Sequence, residues 1–333
     1  MIDSNIERRN FIIATAITGT TLSCFSSSIT YGQNSKSSKF ERVRLPNGNH
    51  LMVRQYGDQS GYPVLYFHGT PSSGVEASII ADDCSDLGIN LIAVDRPGIG
   101  LSTPNCSRSL ISWSKDIQAL TNILQKSSGT KNKKFGLLGY SGGTSFALAV
   151  AQYLPEKIES TAIMAARTPG APGVPWGVID KELFQLVRHP RLAAIVIKRL
   201  RQKLLNGANM LEIPVYKRLA PIDQEFLRKN SNWASEAFLE ATRCGVRGVI
   251  NDSSMLVWPW CLDLSKIRKP VSIWQGTCDR LAPLATAEFL YEQLTQVKCQ
   301  VHCLPDEGHI TSFTEHAKDA LAWIKKNKSQ TTS

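Results

Sequence analysis

The sequence predicts an α/β fold: a mostly parallel central sheet, helices on both faces, and an inserted helical cap. Short apolar runs alternate with helical patterns along most of the 333-residue chain. That alternation is typical of a parallel sheet covered on both sides. It stops at about residue 168 and returns after residue 264, which indicates a helical insert. With 42% hydrophobic and 20% charged residues, the composition excludes a mainly disordered chain.

The first elements read as a β-hairpin. Residues 40–45 and 49–56 are extended runs around Pro46-Asn47-Gly48, and Asn-Gly is a strong turn signal between strands. The hairpin adds antiparallel strands at one edge of the sheet. Strands are then expected at residues 64–68, 90–94, 135–138 and 160–165. Helices are expected at residues 79–87, 110–126 and 141–153, the first of them ended by Gly88.

The elements after the insert repeat the alternation. They are a strand at 271–275, a helix at 285–294, a strand at 300–304 and a last helix at 309–326. The predicted division of the chain is a signal peptide (1–32), a first part of the α/β core (33–167), the helical cap (168–264), a second part of the core (265–327) and a flexible tail (328–333).

The N-terminus has the order of regions found in an export signal. Arg8-Arg9 precedes a moderately apolar stretch, and a Ser/Thr-rich segment follows. The context of the arginine pair resembles the twin-arginine motif. Cleavage after Gly32 is expected, with an uncleaved anchor or lipidation at Cys24 as alternatives. The mature protein is therefore expected in the periplasm or outside the cell.

Cysteine spacing and charge limit the ligands that the sequence predicts. No CxxC or HExxH spacing occurs, so no metal site is predicted. The net charge of +10 suits an anionic partner, but no zinc-finger, RNA-binding or basic-zipper pattern indicates nucleic acid. We therefore expect no nucleic-acid partner, and we make no prediction of the oligomeric state.

The strongest chemical motif is Gly139-Tyr140-Ser141-Gly142-Gly143. It follows a predicted strand and opens a predicted helix, which is the context that a nucleophile elbow requires. The sharp turn forces Ser141 into a strained backbone conformation, and side chains at Gly139 and Gly143 would clash. Ser141 is therefore the candidate nucleophile.

Two backbone N–H groups are candidates for an oxyanion hole. One belongs to Gly142, directly after the nucleophile, and the other to Thr70 in His68-Gly69-Thr70-Pro71 at the end of an earlier strand. The imidazole of His68 is interpreted as a packed core group and not as the catalytic histidine.

The acid and base candidates follow the last two strands. Asp279 lies in the loop after the strand at 271–275, and His309 follows the strand at 300–304. Sites of open α/β sheets form at these carboxyl ends. His309 would take the proton of Ser141, and Asp279 would orient the imidazole. Asp306 and Asp263 are rival acids, and His302 and His316 are interpreted as structural.

These residues resemble the α/β-hydrolase fold family, in its large group with an inserted helical cap. The motifs that carry the resemblance are 68–71, the Asp95–Ser102 loop, 139–143, 276–279 and 308–309. They span roughly residues 40–327. The resemblance implies acyl transfer through an acyl-enzyme and no cofactor, but it does not fix the substrate.

Differences between this sequence and some groups of the family argue against the activities of those groups. Haloalkane dehalogenases and epoxide hydrolases use an aspartate nucleophile, whereas this chain has Ser141. Proline iminopeptidases carry a second glycine where this chain has Thr70, and they need an acid in the cap to bind the substrate amine. The candidates for that acid are Glu182, Glu212, Glu225, Glu236 and Glu240. We expect a carboxylesterase acting on an apolar ester, with an amidase or aminopeptidase and a non-catalytic binding protein as alternatives.

The predicted cap carries most of the excess positive charge. Residues 181–230 hold eleven Lys or Arg and four acids, for a net charge of +7. Residues 188–205 combine this charge with an apolar stripe, which suggests either an ordinary amphipathic helix or weak association with an anionic membrane surface. Trp233, Trp258 and Trp260 are candidates to line an apolar acyl pocket.

Overall fold

The computed structural model of the protein describes residues 39–127 and 133–328. The predictions for residues 1–32 and for residues 329–333 of the tail lie outside this range. Eight strands occur among the described residues: β1 (Lys39–Arg44), β2 (His50–Gly57), β3 (Tyr62–Phe67), β4 (Ile89–Val94), β5 (Phe135–Tyr140), β6 (Ile158–Met164), β7 (Val271–Gly276) and β8 (Cys299–Leu304).

These strands form one sheet in the order β1-β2-β4-β3-β5-β6-β7-β8. The hairpin β1–β2 is antiparallel, and β2 also pairs antiparallel with β4. Every other pairing in the sheet is parallel. The predicted α/β class and the antiparallel hairpin at one edge are both confirmed.

Eleven α-helices are seen in the same two ranges: α1 (Ala81–Asp86), α2 (Leu110–Ser127), α3 (Gly143–Tyr153), α4 (Asp180–Val187), α5 (Pro190–Leu205), α6 (Pro221–Lys229), α7 (Ser231–Ala241), α8 (Arg247–Val257), α9 (Leu284–Gln293), α10 (Thr311–Thr314) and α11 (Ala317–Lys326). Among the described residues, no helix has the length and apolar character needed to cross a bilayer.

Helices pack on both faces of the sheet, and successive side chains of each strand point to opposite faces. Leu65 and Phe67 of β3 belong to a core shared with α2, α3 and α9. Val64 and Tyr66 of the same strand belong to a second core shared with α1 and α11. The near-continuous apolar runs of the sequence are therefore strands buried on both sides.

Residues 168–264, which we call the helical insert, contain α4 to α8 and join β6 to β7. A small hydrophobic core around Ala193, Ile197 and Phe238 of the insert also includes Ile99, from the loop after β4. That residues 168–264 form a separate cap domain stays a prediction.

Two helices differ from the sequence prediction. The helix expected at 79–87 begins as a 3-10 helix, Gly74–Ile80, before α1. The last helix, expected at 309–326, starts later and is divided into α10 and α11 at Glu315 and His316. Apolar periodicity continues through this break, so the sequence pattern did not reveal it.

Candidate active site

Ser141 sits at the turn between β5 and α3 with a backbone φ of +52°. Few residues other than glycine occupy this left-handed region, and the strain projects the side chain out of the turn. The turn is fixed from behind, because the Ser141 N–H donates to the Met164 carbonyl at 2.9 Å and its carbonyl accepts from Thr144 at 3.0 Å.

The glycines around Ser141 allow this close packing. A side chain at Gly139 would meet the Cβ of Ala147 at 2.8 Å, and one at Gly143 would collide with the Phe67 carbonyl. The two positions that the sequence motif marks as glycine are therefore places where α3 and β3 leave no room.

The imidazole of His309 bridges the serine and an aspartate. Its Nε2 lies 2.8 Å from Ser141 Oγ, and its Nδ1 lies 2.8 Å from Asp279 Oδ2. All three side chains are buried, with residue exposures of 4% to 7%. With Nδ1–H donating to the carboxylate, Nε2 is free to accept the serine proton.

Asp279 is held by several donors besides the imidazole. Its Oδ1 accepts from the backbone N–H groups of Leu281 (2.8 Å) and Ala282 (2.9 Å), and its Oδ2 also accepts from Gln275 at 2.9 Å. Gln275, on β7, also receives the Ala166 N–H through its side-chain oxygen. Gln275 was missed in the sequence, where it reads as an ordinary strand residue.

The two candidate oxyanion donors lie side by side. A Cβ at Gly142 would come within 3.3 Å of the Thr70 backbone nitrogen, so the two loops are in close contact. Within the described ranges, neither the Thr70 nor the Gly142 backbone N–H donates to a protein acceptor. Two adjacent unpaired donors beside the nucleophile are suited to a developing oxyanion.

A buried arginine organises the loop that carries Thr70. The Arg96 guanidinium donates to the carbonyls of His68 (2.6 Å) and Gly69 (2.8 Å) and to the Thr70 hydroxyl (3.0 Å). It also pairs with Asp252 of α8 at 2.9 Å. The sequence placed Arg96 in a typical loop of the family but gave no role to its side chain.

His68 packs in this network and not at the nucleophile. Its Nδ1 lies 2.9 Å from the Gly69 carbonyl, and the Arg96 backbone N–H approaches its Nε2 at 3.4 Å. Burial, and then the charge of Arg96, lower the pKa of His68 well below its usual range. The histidine is therefore neutral, as its interpretation as a core group requires.

The other histidines and acids considered in the sequence lie away from Ser141. His302 stacks on Trp274 with ring centres 3.7 Å apart, and His316 contacts Glu307 at 3.4 Å. Asp263 caps a short 3-10 helix, and Asp306 is exposed with a positive φ.

Glu76 is a buried carboxylate beside the oxyanion loop that the sequence analysis missed. Its Oε1 accepts from the Gly69 N–H at 2.6 Å and from the Tyr66 hydroxyl at 2.7 Å. Burial raises the pKa of Glu76. Its contacts fix the loop that precedes Thr70.

A cavity of about 160 Å³ opens beside Ser141 and His309, and the helical insert forms much of its wall. The wall is mainly apolar, and its apolar members from the insert include Ile179, Leu200, Val215, Leu219, Trp233 and Ala237. Of the three tryptophans considered, Trp233 lines the cavity, whereas Trp258 and Trp260 lie outside it.

None of the five glutamates proposed to bind a substrate amine lines this cavity. Glu182 and Glu225 are exposed and pair with Arg218 and Lys229. Glu212 completes the N-cap of a short 3-10 helix, and Glu240 is buried against Arg54. Glu236 is also absent from the cavity wall.

Comparison with known proteins agrees with this architecture. A family model described as alpha/beta hydrolase fold matches residues 62–208. An esterase from Exiguobacterium antarcticum superposes with a TM-score of 0.63, over 87% of this chain and 99% of that one, at 20% identity. The chain has the α/β-hydrolase fold. This confirms the resemblance drawn from its motifs.

Two further proteins are similar to this chain. An esterase from Thermogutta terrifontis, solved with malate bound, superposes with a TM-score of 0.62 at 19% identity, over 87% of this chain and all of that one. A non-heme chloroperoxidase from Streptomyces lividans is 27% identical over 136 residues. That match covers 38% of this chain and 45% of the relative, so the chain spans less than half of the curated relative's length.

Proposed function

We propose that the protein is a serine hydrolase in which Ser141, His309 and Asp279 form a catalytic triad. The observation that carries the proposal is the pair of 2.8 Å contacts joining Ser141 Oγ, the His309 imidazole and the Asp279 carboxylate. A serine, an imidazole and a carboxylate in this order can activate the hydroxyl as a nucleophile.

The proposed reaction has two half-reactions. Ser141 Oγ attacks the substrate carbonyl carbon while His309 Nε2 takes its proton, and Asp279 stabilises the imidazolium. The N–H groups of Gly142 and Thr70 bind the oxyanion. As the carbon–oxygen bond breaks, His309 gives its proton to the leaving alkoxide. Water then attacks the acyl-enzyme by the same route and releases the carboxylic acid.

The proposed substrate is an ester with a small apolar acyl group. The apolar wall of the cavity supports this choice. A volume of about 150 Å³ holds a benzene-sized group, so short acyl chains are the expected substrates. None of the five insert glutamates lines the wall, and the carboxylate that does, Glu76, is buried and already accepts from the Gly69 N–H and the Tyr66 hydroxyl. This favours an ester over the alternative, an aminopeptidase substrate.

The test is hydrolysis of p-nitrophenyl esters from acetate to palmitate, beside alanyl and prolyl nitroanilides. We expect cleavage of the short esters and a loss of about 10⁴-fold or more in kcat for Ser141→Ala. Ser114→Ala, a buried serine on α2, is the matched control. Faster cleavage of the nitroanilides would favour the amidase alternative. A folded wild type that fluorophosphonate does not label would favour a non-catalytic binding protein.

We also propose that the protein is exported, on the basis of the arginine pair and apolar stretch in residues 1–32. This segment lies outside the described residues. Mass spectrometry of the envelope fraction should find an N-terminus at residue 33, and an intact Met1 on a soluble envelope species would contradict cleavage.

Weak association with an anionic membrane surface is the proposed role of α5. Its outward side exposes Leu192, Ile195 and Val196, and the helix contains five Lys or Arg and no acid. Apolar groups flanked by basic ones suit the boundary between headgroups and acyl chains. Leu200 of the same helix lines the cavity, so docking there would bring apolar substrates close to the site.

Sedimentation with vesicles tests this surface. We expect binding to vesicles containing phosphatidylglycerol, weakening as salt rises, and little binding to neutral phosphatidylcholine. Leu192→Ser with Ile195→Ser should weaken binding by about tenfold. Ile111→Ser, at an exposed apolar position on α2, is the control. Binding that is insensitive to salt would contradict the electrostatic part.

A further inference from the structure

Asp223 of the helical insert reaches the backbone that carries His309. It lies in the first turn of α6 and is completely buried. Its Oδ2 accepts from the His309 N–H at 2.8 Å, and its Oδ1 accepts from the N–H groups of Ile310 (2.8 Å) and Thr311 (3.1 Å). One carboxylate therefore holds three successive peptide groups.

This contact is separate from the one made by Asp279. Asp279 binds the imidazole ring through Nδ1, whereas Asp223 binds the main chain from which the ring projects. The two acids come from different parts of the chain, one from the loop after β7 and the other from the insert. Together they fix the ring and its attachment point.

The fit around Asp223 is tight on the side of the histidine loop. A Cβ at Gly308 would collide with the Asp223 carboxylate, so this glycine lets the loop approach the insert. Burial raises the pKa of Asp223, and the His309 charge and the three N–H donors offset only part of that effect. A carboxylate kept in a position that disfavours its charge is more common at functional sites than elsewhere.

We propose that Asp223 is a positioning residue that sets the place of His309 between Ser141 and the leaving group. The inference rests on the proposed serine-hydrolase function and adds a part for the insert in it. Beyond walling the cavity, the insert thereby controls proton transfer by the histidine.

The chemistry gives this role a signature. In acylation, His309 first accepts the proton of Ser141 and then delivers it to the leaving oxygen as the carbon–oxygen bond breaks. An alkoxide needs that proton in order to leave, whereas p-nitrophenolate is stable enough to leave without it. A displaced imidazole should therefore slow an alkyl ester more than a nitrophenyl ester of the same acid.

The experiment compares kcat/KM for ethyl butyrate and p-nitrophenyl butyrate in wild type and Asp223→Asn. The substitution keeps the shape but turns an amide N–H toward backbone donors. We expect about a 100-fold loss on the ethyl ester and about tenfold less loss on the nitrophenyl ester, because small misplacements of a catalytic group are costly. Glu225→Gln is the matched control on α6, since Glu225 is exposed and bound to Lys229.

A second variant disturbs the contact between Asp223 and the histidine loop by a change in the loop. It tests the proposal even if Asp223→Asn does not fold. Gly308→Ala should reproduce the dependence on the leaving group. When Gly308→Ala is added to Asp223→Ala, kcat/KM for the ethyl ester should fall by less than a further threefold. The reason is that the carboxylate with which the new methyl group would collide has been removed.

The outcomes separate the two proposals. An equal loss on both esters, or no loss, in a folded Asp223→Asn protein with a reactive wild type would overturn the positioning role and leave the triad intact. A wild type that neither hydrolyses these esters nor reacts with fluorophosphonate would overturn the proposed function, and the role of Asp223 with it.

Discussion

Single buried side chains behind the site show how much of its geometry depends on groups that touch no substrate. His68 is one of them. It occupies the position between Gly69 and the Arg96 backbone only as a neutral ring, because a protonated imidazole would face the buried guanidinium of Arg96. Its protonation state is therefore tied to folding.

We expect His68 to make the free energy of unfolding depend on pH. The pKa of His68 is lowered in the folded state, so the unfolded chain takes up a proton below about pH 6.5 that the folded protein refuses. This contribution is complete above that pH and is lost as pH falls. Acidification from pH 7.5 to pH 5.5 should therefore lower the free energy of unfolding.

Urea denaturation of wild type and His68→Gln at these two pH values measures this contribution. Glutamine can donate to the Gly69 carbonyl and accept from the Arg96 N–H without taking a proton. The variant should therefore lose less stability on acidification. The same change in both proteins would contradict the assignment, since the other titrating groups are shared.

At the scale of elements, the sequence predicted most strands and helices because each has a local signal. Gly88, with a positive φ of 57°, stops the chain from continuing as a helix after α1. The Asn-Gly turn joins β1 to β2. The break between α10 and α11 had no such signal. The late start of α10 had none either: the chain before it is fixed where Asp223, 86 residues away in sequence, accepts from the His309 N–H. Contacts of that kind leave no local pattern.

The helix α5 makes a prediction about substrate size. Leu200 lines the cavity, so Leu200→Ala should enlarge it and raise the ratio of kcat/KM for hexanoate over butyrate esters by about tenfold. Leu192→Ala, on the exposed side of the same helix, should leave this ratio unchanged. An unchanged ratio in Leu200→Ala would show that another wall sets the chain length.

At the scale of the whole molecule, buried ion pairs join the insert to the core. Asp252 of α8 pairs with Arg96 and with Arg108, and all three side chains are buried. Glu240 of α7 pairs with Arg54 of β2, which also pairs with Asp95. The motifs name Ser141, Asp279 and His309, which the structure brings within hydrogen-bond distance of one another. The long-range ion pairs depend on the insert folding back and were not predicted.

Removing Asp252 should loosen this junction. Asp252→Ala would leave two guanidinium groups buried without their partner, which costs about 3–5 kcal/mol in the free energy of unfolding. Thermal or urea unfolding measures the loss. Glu225→Ala, which breaks an exposed pair with Lys229, should change stability by less than about 1 kcal/mol. Equal effects of the two variants would mean that Asp252 contributes no more than a surface charge.

The position of His309 after the edge strand β8 has a consequence for synthesis on the ribosome. Ser141 and His309 are 168 residues apart, and the imidazole reaches the serine only when β8 has added to β7 at the edge of the sheet. A nascent chain that already contains the serine turn still lacks its base. Any hydrolytic activity would therefore begin only after β8 and residue 309 have been made, and fragments truncated before residue 309 should be inert.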